Sequence, residues 1–197
     1  VWSVRLDSEA AARALAPAPH TDRDLAEFAP APDPGNRLLR RRLTRALLAR
    51  IADVAPASIL FGRTAQGAPS MLSPKGWYLS VGGQAPLCLI GVAREPVGVD
   101  VEPLDDAPPL WDVLTFAEAD SLRLLPTSAR PLEWLRRWTA KEAHAKRLGY
   151  ASGADPARIE TRPVGLHQLR ARSAEGNSLC CIREIGGRVE TIALAGG

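Results

Sequence analysis

An α+β fold of two similar lobes is what this sequence predicts, and three observations lead there. The chain has 197 residues, 46% of them hydrophobic, enough for one large domain or two small lobes sharing a core. Strand, helices and strands follow one another twice, roughly either side of residue 95. The C-terminal stretch from Leu166 onward alternates in the manner of an antiparallel sheet. The lobes so defined are residues 1–95 and 96–197.

Val1 to Leu6 alternates as a strand does, and Ser8 to Leu15 reads as a short helix. Ala16 to Pro34 is rich in Pro and Ala and reads as a surface loop. From Arg37 to Ala52, Leu39, Leu43 and Leu47 recur at helical spacing beside a parallel stripe of Arg37, Arg41 and Arg45, which predicts an amphipathic helix with a basic edge. Between Trp77 and Glu102, apolar and β-branched residues punctuated by Gly82, Gly83 and Glu95-Pro96 predict three short strands. A helix is expected over 109–125. Another runs from Pro131 to Leu148, with Pro131 suited to its first turn and Gly149 to its end. Leu166–Arg172, Ser178–Ile185 and Val189–Leu194 are the terminal strands, the last two joined by a turn at Gly186-Gly187.

Lys and Arg number 25 against 22 acidic residues, for a net charge of +3. That balance suits an acidic partner or a phosphate ligand. The arginine-rich stripe lacks the interleaved aromatic residues of a nucleic-acid surface, so nucleic acid is not expected as a partner. Cys88, Cys180 and Cys181 have no metal-ligand spacing and read as buried thiols of a reducing compartment. The longest apolar run, Pro86 to Ala93, is too short to span a bilayer, and no charged segment followed by an apolar one opens the chain. A cytoplasmic protein without a membrane partner is expected. Because the sequence opens at Val1 rather than at a methionine, residues are expected to precede it or to have been removed.

Two clusters carry chemistry. In Gly98-Val99-Asp100-Val101-Glu102 the strand period places Asp100 and Glu102 on one face and the valines on the other. Alone, such a pair most often marks a solvated acidic face. In the second cluster, Trp138, Glu142 and Lys146 share one helical face. Alone, Glu142 and Lys146 would be an exposed ion pair of a few tenths of a kcal/mol.

Together, G-V-D-V-E over 98–102 and W-T-A-K-E-A-H-A-K-R-L-G over 138–149 resemble the paired signature of the surfactin-synthetase-activating (Sfp) type of 4′-phosphopantetheinyl transferase. Phe116-Ala117-Glu118 is loosely similar to the F-x-x-x-E region of that family, and weaker echoes run from about residue 37 to 160. The resemblance implies a pseudo-dimer of two α/β lobes with coenzyme A in the cleft between them, and a monomer in solution. It implies Mg²⁺ held by Asp100, Glu102 and Glu142 at the coenzyme A diphosphate, and transfer of phosphopantetheine to a serine of an apo acyl or peptidyl carrier protein. Asp100, Glu142 and Lys146 would be the catalytic set. Glu142, directly or through a metal-held water, would help to deprotonate the serine. Lys146 would bind the diphosphate and stabilise the departing 3′,5′-ADP, with Lys141 as a supporting phosphate contact. Arg41, and as second choice Arg37, would meet the 3′-phosphate of coenzyme A.

Elementary electrostatics agrees with the metal. Like charges about 4 Å apart repel by roughly 4 kcal/mol at an effective dielectric near 20, so three converging carboxylates call for a cation. An all-oxygen set open to water and phosphate suits Mg²⁺ rather than zinc.

The chain departs from the family pattern twice. Relatives carry G-K-P where this chain has Gly67-Ala68-Pro69, and a Ser-His pair where it has Tyr78-Leu79-Ser80-Val81-Gly82-Gly83. Two phosphate-binding side chains are thereby missing, which predicts weaker coenzyme A affinity, with arginine able to compensate. The same gaps motivate the alternative of a non-catalytic module that binds a carrier protein or coenzyme A. His144 lies on a different helical face from Glu142 and Lys146 and is expected to serve packing or to lie at the surface, with no metal assigned to it.

Overall fold

The structure is a computed structural model that describes residues 1–15, 18–105 and 107–196, with only the backbone described at Ala14 and Leu15. Ten strands and five α-helices are present among these residues. They are β1 (Trp2–Arg5), α1 (Glu9–Leu15), α2 (Asp22–Phe28), α3 (Pro34–Ala52), β2 (Leu60–Arg63), β3 (Pro69–Ser73), β4 (Tyr78–Gly82) and β5 (Leu87–Ala93). They continue as β6 (Gly98–Pro103), α4 (Phe116–Arg123), α5 (Arg130–Arg147), β7 (Glu160–Gly165), β8 (Gln168–Ser173), β9 (Gly176–Ile185) and β10 (Arg188–Ala195). The mixed α+β class expected from the pattern is observed.

One antiparallel sheet has the order β1-β5-β4, a second the order β6-β10-β9-β8-β7, and β2 and β3 form a separate hairpin. Strand alternation decides what each face meets. Cys88 and Ile90 of β5 pack on Leu39, Leu43 and Leu47 of α3. Leu89, pointing the other way, packs on Val99 and Val101 of β6. Behind β6, the second sheet buries Leu169, Cys180, Val189 and Ala193 against Leu135, Ala140 and Ala143 of α5. In this region the order of layers is α3, first sheet, second sheet, α5. Gly82 makes the contact between the sheets possible, because a Cβ there would stand 2.6 Å from the Val99 carbonyl oxygen.

The expected loop over 16–34 is corrected in part. Ala16 and Pro17 lie outside the described residues, but Asp22–Phe28 is helical, started by a capping box in which Thr21 and Asp24 satisfy each other's backbone N–H groups. The helix expected over 109–125 is shorter, Phe116–Arg123, preceded by one 3-10 turn at Trp111–Val113. The β2–β3 hairpin and β7 add to the expected strands. The tip of that hairpin rests on the chain just beyond α5: Thr64 Oγ1 donates to the Gly149 carbonyl at 2.6 Å and Ala151 N to the Gln66 carbonyl at 3.2 Å. No helix among the described residues is long and apolar enough to cross a membrane.

Candidate active site

Helix α5 lies against β6 at unusually short range. A Cβ on Gly98 would stand 1.8 Å from the Ala143 carbonyl oxygen and 2.6 Å from Arg147 N, so only glycine admits this approach. By the strand period, Gly98, Asp100 and Glu102 face the helix, and α5 meets them with Glu142 and Lys146 from adjacent turns. Lys146 Nζ donates to Asp100 Oδ1 at 2.6 Å and stands 3.8 Å from Glu142 Oε2. The acidic and helical clusters of the sequence therefore share one place.

Burial raises the affinity of all three carboxylates for protons. Asp100 is 1% exposed, and desolvation lifts its pKa against the opposing pull of Lys146. Glu142 is raised by burial and by Asp100, with Lys146 opposing. Glu102 is pushed up to about 7 by burial first and then by Asp100, while Lys146 and a hydrogen bond with Trp138 work the other way. Asp100 Oδ2 is buried without a partner. As the side chains stand, no group of three or more His, Cys, Asp or Glu among the described residues is closed around a cation position, and the ammonium of Lys146 takes one Asp100 oxygen. The unpartnered Asp100 oxygen and the carboxylates of Glu102 and Glu142 are hard oxygen donors of the type Mg²⁺ takes, although they do not converge on one point as they stand.

A cleft of about 590 Å³ opens beside this cluster. Arg37, Arg40, Arg41 and Arg63 line it together with Lys146 and Tyr150 from the end of α5 and the segment after it. Arg41 is buried between the rings of Phe28 and Phe61, 4.9 and 4.5 Å from their centres, and bonded to Glu27 at 2.8 Å. Its basicity is lowered by burial, with Glu27 opposing. Arg45, the third member of the stripe, is not at the cleft; it is buried against Asp24 at 2.8 Å. The predicted basic edge of α3 is thus a half-buried network anchored by α2.

Lys141 does not bear out its expected phosphate contact. Its side chain is 0% exposed, and its ammonium donates to Glu118 Oε2 at 2.6 Å and to the Val113 and Pro156 carbonyls at 2.9 Å each. All three donors are taken inside the protein, and the side chain is not on the cleft. Glu118, the residue of the F-x-x-x-E resemblance, is its partner and also accepts from Thr161 N at 2.7 Å. His144 packs as expected, its ring nitrogens 2.7 and 3.0 Å from the Ser178 and Ser173 hydroxyls, and burial depresses its pKa to about 4. Cys88 and Cys180 are buried free thiols, whereas Cys181 is half-buried.

Sequence reasoning missed Arg63, Arg40 and Glu27. Arg63 ends β2 and reaches the cleft only because the hairpin folds back beside α3, a juxtaposition that no local spacing records.

Residues 96–192, just under half of the chain, match the 4′-phosphopantetheinyl transferase superfamily. The matched stretch contains Asp100, Glu102, Glu142 and Lys146, and the match supports the class of a phosphopantetheinyl-transferring enzyme. It supports the superfamily and does not single out the surfactin-synthetase-activating type within it. No curated protein matches the chain.

Proposed function

We propose that the chain is a surfactin-synthetase-activating type transferase that moves 4′-phosphopantetheine from coenzyme A to a serine hydroxyl of an apo acyl or peptidyl carrier protein, releasing 3′,5′-ADP, as a cytoplasmic monomer. The observation that carries this reading is the position of Lys146: one ammonium bonds the buried carboxylate of Asp100 and lines the arginine-walled cleft. Two functions, holding a hard cation and holding phosphates, meet at that side chain. We read residues 1–95 and 96–197 as the two lobes of a pseudo-dimer with the cleft between them.

Asp100, Glu102 and Glu142 would hold Mg²⁺, which when bound supplies charge neutralisation at the diphosphate. Asp100 would offer its unpartnered Oδ2 to such a cation while Oδ1 keeps Lys146. Arg37 and Arg41 bind phosphate at the nucleotide end and fix the donor in the cleft. Glu142, its proton affinity raised by burial, accepts the serine proton. The serine oxygen bonds to the β-phosphorus as the bond to 3′,5′-ADP breaks, and Lys146 offsets the charge left on the departing group.

Incubation with coenzyme A, Mg²⁺ and an apo carrier protein, read by intact mass, tests this. The carrier should gain a phosphopantetheine increment, and the chain carrying Asp100→Ala should lose transfer by roughly a hundredfold or more. A second reading, a module that binds carrier or coenzyme A without transfer, is favoured by one observation: Ala68 rather than a cation sits in the cleft wall. No increment across a broad panel of carriers, with coenzyme A still bound, would select it. Full activity in Asp100→Ala would remove the transferase reading.

A further inference from the structure

Glu27 stands where a carboxylate is poorly placed. It lies in the last turn of α2, where the partial negative charge of the helix end disfavours it. One of its oxygens, Oε1, accepts from Arg41 Nη2 at 2.8 Å and from Arg63 Nη2 at 2.6 Å. Both arginines line the cleft, and the buried Arg41 keeps a further nitrogen, Nη1, without a partner. Two guanidinium groups are therefore gathered on a single carboxylate oxygen, with a donor to spare.

Asp24, one turn earlier on the same helix, shows the contrast. Its side chain is 4% exposed and held by the Thr21 cap and by Arg45, whereas that of Glu27 is 21% exposed. Asp24 is built into the fold, whereas Glu27 is half-buried and tied, among the described residues, only to two side chains of the cleft wall, Arg41 and Arg63. A phosphate monoester carries a charge of about −1.5 to −2 and three acceptor oxygens, so it answers two guanidinium forks more completely than one carboxylate oxygen does.

We infer that Glu27 is an internal substitute for a phosphate monoester: it holds Arg41 and Arg63 as a clamp in the free protein and is displaced when the monoester of a bound nucleotide enters. Given the coenzyme A reading, on which this inference rests, that group is the ribose 3′-phosphate. Arg63 is then the second arm of the clamp beside Arg41. The carboxylate weakens the grip on any 3′-phosphorylated ligand, which eases departure of 3′,5′-ADP after transfer. A ligand without a monoester leaves Glu27 in place and is indifferent to its charge.

Isothermal titration of coenzyme A, dephospho-coenzyme A and inorganic phosphate into the wild-type chain, Glu27→Gln and Arg63→Ala tests this. Glu27→Gln should tighten coenzyme A by roughly threefold or more and leave dephospho-coenzyme A within about twofold. Arg63→Ala should weaken coenzyme A by roughly tenfold or more and leave dephospho-coenzyme A little changed. Weaker coenzyme A binding in Glu27→Gln, or equal tightening of both coenzymes, would overturn the inference, as would a collapse of its unliganded melting temperature, which would make Glu27 a structural counter-ion. Inorganic phosphate binding as tightly as coenzyme A would reassign the clamp to the free ion and overturn its nucleotide role. A chain that shows the expected binding pattern yet transfers nothing sinks the transferase reading alone; one that transfers but shows the reverse Glu27→Gln effect sinks the clamp alone.

Discussion

Lys141 and Lys146 share helix α5, and their surroundings give them opposite roles. Lys141 is enclosed, with Glu118 as its ion partner and two carbonyls from other segments completing its shell. Lys141→Met would leave Glu118 buried beside an apolar group, and the expected loss is about 3 kcal/mol of folding stability, measured by denaturant titration. The sequence could not show this, because Val113 and Pro156 reach Lys141 from either side of the helix in the chain and only the folded packing brings them there. What the sequence did show at this scale is that Asp100 and Glu102 share one strand face and Glu142 and Lys146 one helix face, while the expectation that the two faces meet came from the family resemblance. His144 supplies a pH prediction. Its pKa falls from 6.5 in the unfolded chain to about 4 in the fold, because burial opposes the charged ring. Between those values the unfolded chain binds a proton that the folded chain refuses, so this stabilisation is complete above pH 6.5 and is lost as pH falls towards 4. The loss is about 3 kcal/mol. The difference between wild type and His144→Gln in unfolding free energy, measured across that range, should shrink as the pH drops.

Gly98 governs how one element meets another. Gly98→Ala would drive a methyl group into the Ala143 carbonyl, and neither the strand nor the helix backbone can yield cheaply. We expect a loss of about 3 kcal/mol or more in chemical denaturation, together with a fall in transfer, because α5 carries Glu142 and Lys146 away from Asp100 when it is pushed off β6. Among the elements, α5 was legible from Pro131 and Gly149, and its end is marked by Gly149 at φ +94°. The β9–β10 turn was legible in the same way, with Gly186 and Gly187 at φ +56° and +70°. Helix α2 was hidden by the Pro and Ala around it, since its stability comes from the Thr21–Asp24 cap and the contact of Asp24 with Arg45 on α3. Strand β7 was missed because Pro163, Val164 and Gly165 break the alternation, and the ladder to β8 is itself irregular there.

The cleft draws its lining from widely separated parts of the chain: α3, the β2–β3 hairpin, the β4–β5 turn and the segment following α5. Coenzyme A should therefore slow amide hydrogen exchange in all of them at once, near residues 36–44, 61–69, 79–85 and 146–151, while β8 and β9 exchange as before. Protection confined to 96–192 would place the ligand elsewhere. This convergence was the least legible property of the sequence, because helix α3 announces its arginines but not which of them turn towards Lys146 and which, like Arg45, are spent on α2. The hairpin tip carries this furthest. Thr64 and Gln66 fasten it to Gly149 and Ala151, directly beyond the helix that bears Lys146. The short turn at residues 64–68 thus ties the strand that ends in Arg63 to the chain just past Lys146, so residues inserted into or deleted from it would change the distance between those two cations across the cleft.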